Sequence, residues 1–99
     1  MKGYRRDPER TVIRALLRRT PLAGARVIDV GCGDGRRTRQ IAAVARLVYA
    51  IEPDTAILAL ARRLSARRFK NKIRFRLGTA ERPGISGRRF DAALFSGSL

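Results

Sequence analysis

The sequence has no histidine and only one cysteine, Cys32. A lone cysteine cannot form an internal disulfide, and no cluster of histidine and cysteine suggests a metal site. Because no histidine is present to activate a thiol, Cys32 is predicted to fill space and not to act as a nucleophile. No run of about eighteen apolar residues and no signal-peptide layout occur, so we expect a cytoplasmic protein without a membrane segment.

Acidic residues are also scarce, with 8 Asp and Glu against 23 Lys and Arg, which gives a net charge of +15. A charge of this size attracts nucleic acid or anionic surfaces non-specifically at low salt. Many arginines come as doublets spread along the chain, and no localised basic arm with interleaved aromatics is present. Non-specific nucleic-acid binding is therefore an alternative that depends on charge alone.

The segment 26–35 combines a short apolar strand with three glycines at alternate positions, Gly31, Gly33 and Gly35. Glycines allow a sharp turn and bring backbone N–H groups close to a ligand. Residues 36–45 contain neither Gly nor Pro and are predicted to form a helix. A strand, a glycine loop and a helix N-terminus together predict a nucleotide-type site, in which free N–H groups face the ligand.

The spacing of these glycines does not fit a dinucleotide site, since G-x-G-x-x-G would require glycine where Arg36 stands. The observed pattern is D-x-G-x-G-x-G, with Asp29 in the strand. This pattern resembles the first motif of the class I S-adenosylmethionine-dependent methyltransferases. The resemblance implies S-adenosylmethionine as cofactor and the acid and three glycines as cofactor-binding residues: Asp29, Gly31, Gly33 and Gly35.

A second apolar strand, 47–51, ends on Glu52 and Pro53. An acid at the carboxyl end of the second strand is where such sheets hold a ribose, since one carboxylate can accept hydrogen bonds from both hydroxyls. The resemblance places the adenosine ribose on Glu52, with Pro53 beside it. Asp54 is interpreted as the cap of a helix over 54–68, with an apolar stripe at Ile57, Leu60, Ala61 and Leu64.

The segment 72–77 alternates apolar residues with arginines and is predicted to be an edge strand. Residues 78–83 are similar to the G-D-A-E-x-L-P turn of small-molecule methyltransferases, where an acid and the alanine backbone approach the adenine. Thr79 stands in place of that acid, followed by Ala80. The resemblance implies that Thr79 and Ala80 contact the cofactor.

The two ends of the chain complete the resemblance. Asp7 to Arg19 is predicted to form a capped amphipathic helix after a loose basic leader, residues 1–6. A fourth strand over 90–95 and the following 96–99 resemble the segment that ends the cofactor half of these enzymes, and Ser96 is its implied cofactor contact. Residues 1–99 are thus expected to be one S-adenosylmethionine-binding half-domain, which corresponds to the first half of a seven-stranded fold.

The sequence therefore predicts an α/β, doubly wound parallel sheet (a Rossmann-like methyltransferase fold) with strand order 3-2-1-4. The predicted function is that of a methyltransferase, or a truncated part of one, with an unidentified small-molecule acceptor. No catalytic residue and no metal ligand are assigned. The alternatives are a basic nucleic-acid-binding module or RNA methyltransferase fragment and, in a third class, a nicotinamide- or flavin-binding protein.

The predicted half-fold also implies that the chain associates with another copy or with a further segment. Its helices are expected to cover one face of the sheet, which would leave the other face and the edge of the fourth strand bare. Bare apolar surface of that extent is unusual on a soluble monomer. We therefore expect the chain to dimerise, to aggregate or to need a complementing C-terminal segment.

Overall fold

A computed structural model describes residues 22–84 and 89–95. In these ranges the chain alternates strands and helices: β1 (Arg26–Val30), α1 (Arg36–Ala42), β2 (Leu47–Glu52), α2 (Thr55–Ser65), β3 (Ile73–Leu77) and β4 (Ala92–Phe95). The predicted helix from Asp7 to Arg19 and the leader lie outside the described residues. No helix in the described ranges is long and apolar enough to cross a membrane.

The four strands form one parallel sheet in the order β3-β2-β1-β4, which confirms the predicted topology. In the register of the sheet, Asp29 of β1 lies between Ala50 of β2 and Leu94 of β4. Because all strands run the same way, their carboxyl ends meet at one edge, where loops 31–35, 53–54 and 78–83 begin. In open parallel sheets this edge is where ligands bind.

The hydrophobic core lies between the helices and one face of the sheet. From the sheet, Val27, Val48 and Ala50 are completely buried, and Ile41 of α1 and Ala61 of α2 cover them. These strand residues occupy alternate positions, as expected when a single face packs against helices. This packing fixes the positions of the loops at the carboxyl edge.

Both helices are shorter than predicted, and α2 is rotated relative to its predicted apolar stripe. Helix α1 ends at Ala42, and α2 begins after Asp54, whose side chain accepts a hydrogen bond from the Ile57 N–H at 3.0 Å, so the predicted cap is confirmed. Along α2 the buried residues are Leu58, Ala61 and Ser65. Two members of the predicted stripe, Ile57 and Leu64, are 38% and 53% exposed instead. The close approach of α2 to the glycine loop, described below, favours small residues on the buried side.

The expectation of a bare second sheet face is wrong for β2. Tyr49 and Ile51, whose side chains point away from the core cluster, are 4% and 0% exposed. The Tyr49 ring also makes an edge-to-face contact with Phe90, with ring centroids 5.5 Å apart. The large exposed apolar side chains at the ends of the outer strands are Leu77 of β3 and Phe95 of β4.

Candidate cofactor site

The glycine loop turns through left-handed backbone conformations that favour glycine. Gly33 has φ +60° and Gly35 has φ +89°. A Cβ on Gly33 would meet nothing within 4 Å, whereas a Cβ on Gly35 would lie 3.5 Å from both Ala61 Cβ and Ser65 Oγ. Gly35 is therefore favoured by its backbone conformation, and the loop lies in ordinary van der Waals range of α2 at this point.

Most N–H groups of this loop donate to acceptors within the chain. The N–H groups of Gly31 and Cys32 both donate to the Ile51 carbonyl, at 2.8 and 3.0 Å, and Gly35 N–H donates to the Cys32 carbonyl at 3.0 Å. The prediction that the loop presents bare N–H groups to a ligand is thus wrong for these residues. Because these N–H groups already donate to carbonyl oxygens of the chain, the loop offers few free donors to an anion such as phosphate.

The Glu52 side chain, at the end of β2, is hydrogen-bonded to the loop after β1 and to the loop after β2. Its Oε1 accepts a hydrogen bond from Gly33 N–H at 2.9 Å, and its Oε2 accepts one from Asp54 N–H at 3.0 Å. The residue is 7% exposed, and it contributes to the lining of a cavity at the carboxyl edge. Since each carboxylate oxygen can accept a second hydrogen bond, Glu52 is held in position with acceptor capacity left for a ligand's hydroxyl groups.

The cavity has a volume of about 340 Å³, within the range of about 300–1,000 Å³ that is usual for small-molecule sites. The residues that line it come from the ends of three strands and from the turn after β3: Val30, Gly31, Glu52, Pro53, Gly78, Thr79, Ala80, Glu81 and Phe95. Two of these are carboxylates and none is Lys or Arg. In a chain of net charge +15, this cavity is locally negative.

The turn after β3 is closed by its own backbone and by Thr79. Thr79 N–H donates to the Arg82 carbonyl at 3.0 Å, and Thr79 Oγ1 accepts from Arg82 N–H at 3.1 Å. A Cβ on Gly78 would lie 2.6 Å from the Arg82 carbonyl oxygen, so this turn requires glycine there. The Thr79 hydroxyl therefore holds the turn, and its oxygen can accept one further hydrogen bond.

Asp29 lies beneath the loop and does not line this cavity. It is completely buried, and its Oδ2 accepts a hydrogen bond from Thr38 Oγ1 at 2.7 Å. Its Oδ1 is 3.9 Å from a guanidinium nitrogen of Arg37, which is 9% exposed. Asp29 therefore links β1 to the start of α1. It affects the glycine loop only indirectly, because it holds together the strand before the loop and the helix after it.

Cys32 is buried in the same loop, with its Sγ 3.6 Å from the Gly33 carbonyl oxygen. Burial, together with the negative charges of Asp29 and Glu52, raises the pKa of the Cys32 thiol to about 12. The thiol is neutral at physiological pH, and a neutral thiol is a poor nucleophile. A buried, neutral thiol agrees with the prediction that Cys32 fills space and is not a nucleophile.

The structure brings most of the predicted site residues together. Gly31, Glu52, Pro53, Thr79 and Ala80 line one cavity. Gly33 does not line the cavity, but its N–H donates to Glu52, which does. Asp29 and Gly35 contact α1 and α2 and hold the glycine loop in place. Ser96 lies outside the described residues.

Four lining residues were not predicted: Val30, Gly78, Glu81 and Phe95. Val30 and Phe95 are paired in the sheet register as the last residues of β1 and β4. The rule that ligands bind beyond the carboxyl ends of parallel strands would have indicated both of them. Glu81 stands within the same turn motif as Thr79 and Ala80, so the motif could have indicated it as well.

The fold and this cavity define a class of protein: a doubly wound α/β domain with a cavity at the carboxyl edge of its sheet, where ligands bind in such folds. Residues 27–99 match a family model described as a methyltransferase domain. The chain belongs to this methyltransferase family, and the predicted family resemblance is confirmed.

One curated relative is the ubiquinone biosynthesis O-methyltransferase of Azorhizobium caulinodans, 31% identical over 74 residues. The match covers 75% of this chain and 29% of the relative. The chain thus spans less than a third of that relative's length.

Solved structures agree with this assignment. An S-adenosylmethionine-dependent methyltransferase from Mesorhizobium loti is 25% identical, with a TM-score of 0.72 over 88% of this chain and 38% of the other. The fold is also similar to that of Haemonchus contortus phosphoethanolamine N-methyltransferase 1 in complex with phosphoethanolamine and S-adenosylhomocysteine. That chain is 23% identical, with a TM-score of 0.73 and coverage of 91% and 19%. Together with the family, these findings indicate S-adenosylmethionine as the cofactor.

Proposed function

We propose that the cavity at the carboxyl edge binds S-adenosylmethionine and that the chain is the cofactor-binding part of a methyltransferase. The observation that supports this most strongly is the charge of the cavity: among the described residues that line it, Glu52 and Glu81 are carboxylates and none is a cation. S-adenosylmethionine carries a sulfonium and an ammonium group, so a site with two carboxylates attracts it. Its ribose hydroxyls are donors, which suits the acceptor capacity of Glu52.

The same residues make a dinucleotide a poorer fit. A pyrophosphate needs free backbone N–H donors or nearby cations. Here the N–H groups of Gly31, Cys32 and Gly35 have acceptors within the chain, and Glu52 and Glu81 would repel the phosphates. The residues present fit a cationic cofactor with hydroxyl donors.

Roles for individual residues follow from their positions. We assign the ribose hydroxyls to Glu52, because its carboxylate is fixed by Gly33 and Asp54 before any ligand arrives. The exposed backbone of Thr79 and Ala80 forms the opposite wall, where the adenine is proposed to lie. Asp29 is a positioning residue, since it holds the base of the loop.

When bound, S-adenosylmethionine would supply an electrophilic methyl group, whose carbon bonds to the nucleophile as the carbon–sulfur bond breaks and S-adenosylhomocysteine leaves. The contribution of this chain is to hold the cofactor in a fixed orientation, and orientation of two reactants accounts for a large part of the rate of such bimolecular steps. Among the described residues we assign no general base. The curated relative acts in ubiquinone biosynthesis, which supports a small-molecule acceptor in this proposal.

Association with a second copy, or with a complementing C-terminal segment, stays a prediction of the sequence. The described side chains that such an association would cover include Phe95, which is 54% exposed, and the exposed Ala93 on the same strand. β4 is an outer strand of the sheet, and an open strand edge is a surface to which another strand can add.

The proposed cofactor can be tested by calorimetry on the full chain with S-adenosylhomocysteine and, separately, with NAD. We expect S-adenosylhomocysteine to bind at least about thirtyfold more tightly, which corresponds to about 2 kcal/mol. The reason is that only the dinucleotide brings phosphates to a negative cavity. Tighter binding of NAD, or binding of neither compound, would contradict the proposal.

A further inference from the structure

A second cavity, which we call the β3 groove, lies between α2 and β3 and has a volume of about 520 Å³. Its charged lining residues are all cations: Arg62, Lys70, Arg74 and Arg76. Lys70 and Arg74 are exposed, and neither side chain makes a hydrogen bond or ion pair with another described residue. The groove therefore carries positive charge that is open to solvent.

A third cavity, the α1–α2 groove, adjoins it and has a volume of about 530 Å³. Its charged lining residues are again cations, Arg36, Arg39 and Arg68. Phe69 lines both cavities, so the two grooves adjoin at this residue, near the β3 edge of the described sheet. No carboxylate among the described residues lines either groove.

Several of these guanidinium groups are held in place by neutral partners. Arg39 donates to the Asp34 carbonyl at 3.0 Å and to Ser65 Oγ at 3.1 Å. Arg62 donates to the Phe75 carbonyl at 3.2 Å, and Arg76 donates to the same oxygen at 2.9 Å. Carbonyl and hydroxyl partners orient a guanidinium without cancelling its charge, so these arginines remain available to an anion.

The sequence explains why the charge accumulates here. Between Thr55 and Ala80 the chain has no acid and eight cations: Arg62, Arg63, Arg67, Arg68, Lys70, Lys72, Arg74 and Arg76. The described acids Glu52, Asp54 and Glu81 flank this segment on either side. The arginine doublets are spread along the sequence, and the fold places cations from α1, α2 and β3 around two adjoining grooves.

We propose that the β3 groove and the α1–α2 groove together bind the sugar–phosphate backbone of a single-stranded nucleic acid. Seven cations along two joined grooves match a chain of regularly spaced phosphates. A flexible single strand can follow a concave groove on the protein surface. A duplex is instead recognised by a protein element that enters the groove of the nucleic acid, and a lipid surface is flat and does not fit a concave groove. Phe69 and Phe75 are 9% and 8% exposed, so base stacking contributes little and binding is independent of sequence.

This inference goes beyond the proposed cofactor function and does not depend on it. The cofactor cavity and the two grooves have opposite charge, and they contain different lining residues. They approach each other along β3, since Arg76 lines the β3 groove and Gly78 lines the cofactor cavity. A nucleic acid in the β3 groove would therefore pass close to the cofactor cavity.

The test is fluorescence anisotropy with labelled oligo(U) of about 20 nucleotides, using the full chain at a series of salt concentrations. The test variant is the double substitution Lys70→Gln/Arg74→Gln, and the matched control is Arg46→Gln/Arg89→Gln. Both variants lower the net charge from +15 to +13, and all four residues are exposed. The control residues stand just before β2 and β4, at the amino ends of the strands.

We expect the test variant to bind oligo(U) about fivefold or more weakly at about 0.1 M salt, and its salt slope to fall by about 1.4, or about 0.7 for each phosphate that is no longer neutralised. The control is expected to stay within about twofold of the native chain. Equally weakened binding in both variants would show attraction by net charge alone and would overturn the proposal. Absence of oligo(U) binding, with binding to phosphatidylserine vesicles instead, would also overturn it.

Discussion

Replacing Asp29 with alanine is expected to lower the free energy of unfolding by about 3–5 kcal/mol, the usual cost of removing one partner from a buried charge pair. The substitution leaves Arg37 buried opposite an apolar side chain, and Nε and one terminal nitrogen of Arg37 already have no hydrogen-bond partner. It also removes the acceptor for the Thr38 hydroxyl, which is completely buried. Urea denaturation followed by circular dichroism measures the change.

A double substitution separates the effect of the unpaired charge on stability from the effect of the lost packing. In Asp29→Ala/Arg37→Met both charges are absent, and Met is an apolar side chain of similar length. The double variant is expected to be more stable than Asp29→Ala by at least about 1.5 kcal/mol, because no buried charge is left without a partner. If the double variant is no more stable than the single one, the decrease in stability comes from lost packing or from the unpaired Thr38 hydroxyl, and the buried charge pair is not its cause.

Replacing Glu52 with glutamine is expected to weaken binding of S-adenosylhomocysteine by about 1.5–3 kcal/mol, or about ten- to hundredfold, the scale of a hydrogen bond to a charged group. Glutamine keeps the shape of the side chain and one acceptor oxygen, so the hydrogen bond to the loop can persist in part. The charge is removed from a carboxylate that is 7% exposed and therefore little screened by solvent. Isothermal titration calorimetry gives the affinity.

Glu81→Gln serves as the matched control, because Glu81 lines the same cavity but is exposed, and its replacement is expected to cost less than about threefold. A ligand comparison adds a second control. Removing both ribose hydroxyls from S-adenosylhomocysteine should weaken binding to the native chain and change little for Glu52→Gln. If the dideoxy compound binds more weakly by the same factor with both proteins, Glu52 does not hold the ribose.

The first two strands and the glycine turn were predictable because they depend on patterns that act over a few residues. Apolar runs at 26–30 and 47–51 indicated buried strands, and the glycines at 31, 33 and 35 marked the turn between strand and helix. The order β3-β2-β1-β4 then came from the family resemblance, and the sheet register confirms it. Helix ends and the buried side of α2 were less accurate, because they depend on how closely α2 approaches Gly35.

The hydrogen bonds of the site were not predictable from the same patterns. Nothing in the spacing shows that Gly33 N–H donates to Glu52, or that Thr79 Oγ1 holds the turn to Arg82, since both hydrogen bonds depend on the tertiary path of the loops. The pairing of Asp29 with Thr38 likewise requires knowing which face of α1 meets β1. The motifs indicated the ligand class and five of the residues that line the cavity, and only the fold showed how these residues are held in place.

The central claim is that S-adenosylmethionine binds in the cavity at the carboxyl edge of the sheet. The most direct measurement is amide chemical-shift mapping of the isotopically labelled full chain as S-adenosylhomocysteine is added. We predict that the largest shifts fall on Gly31, Gly33, Glu52, Gly78 and Thr79, around the cavity and its loops. Largest shifts along α2 and the first half of β3, with the glycine loop and the 78–83 turn unchanged, would contradict the claim.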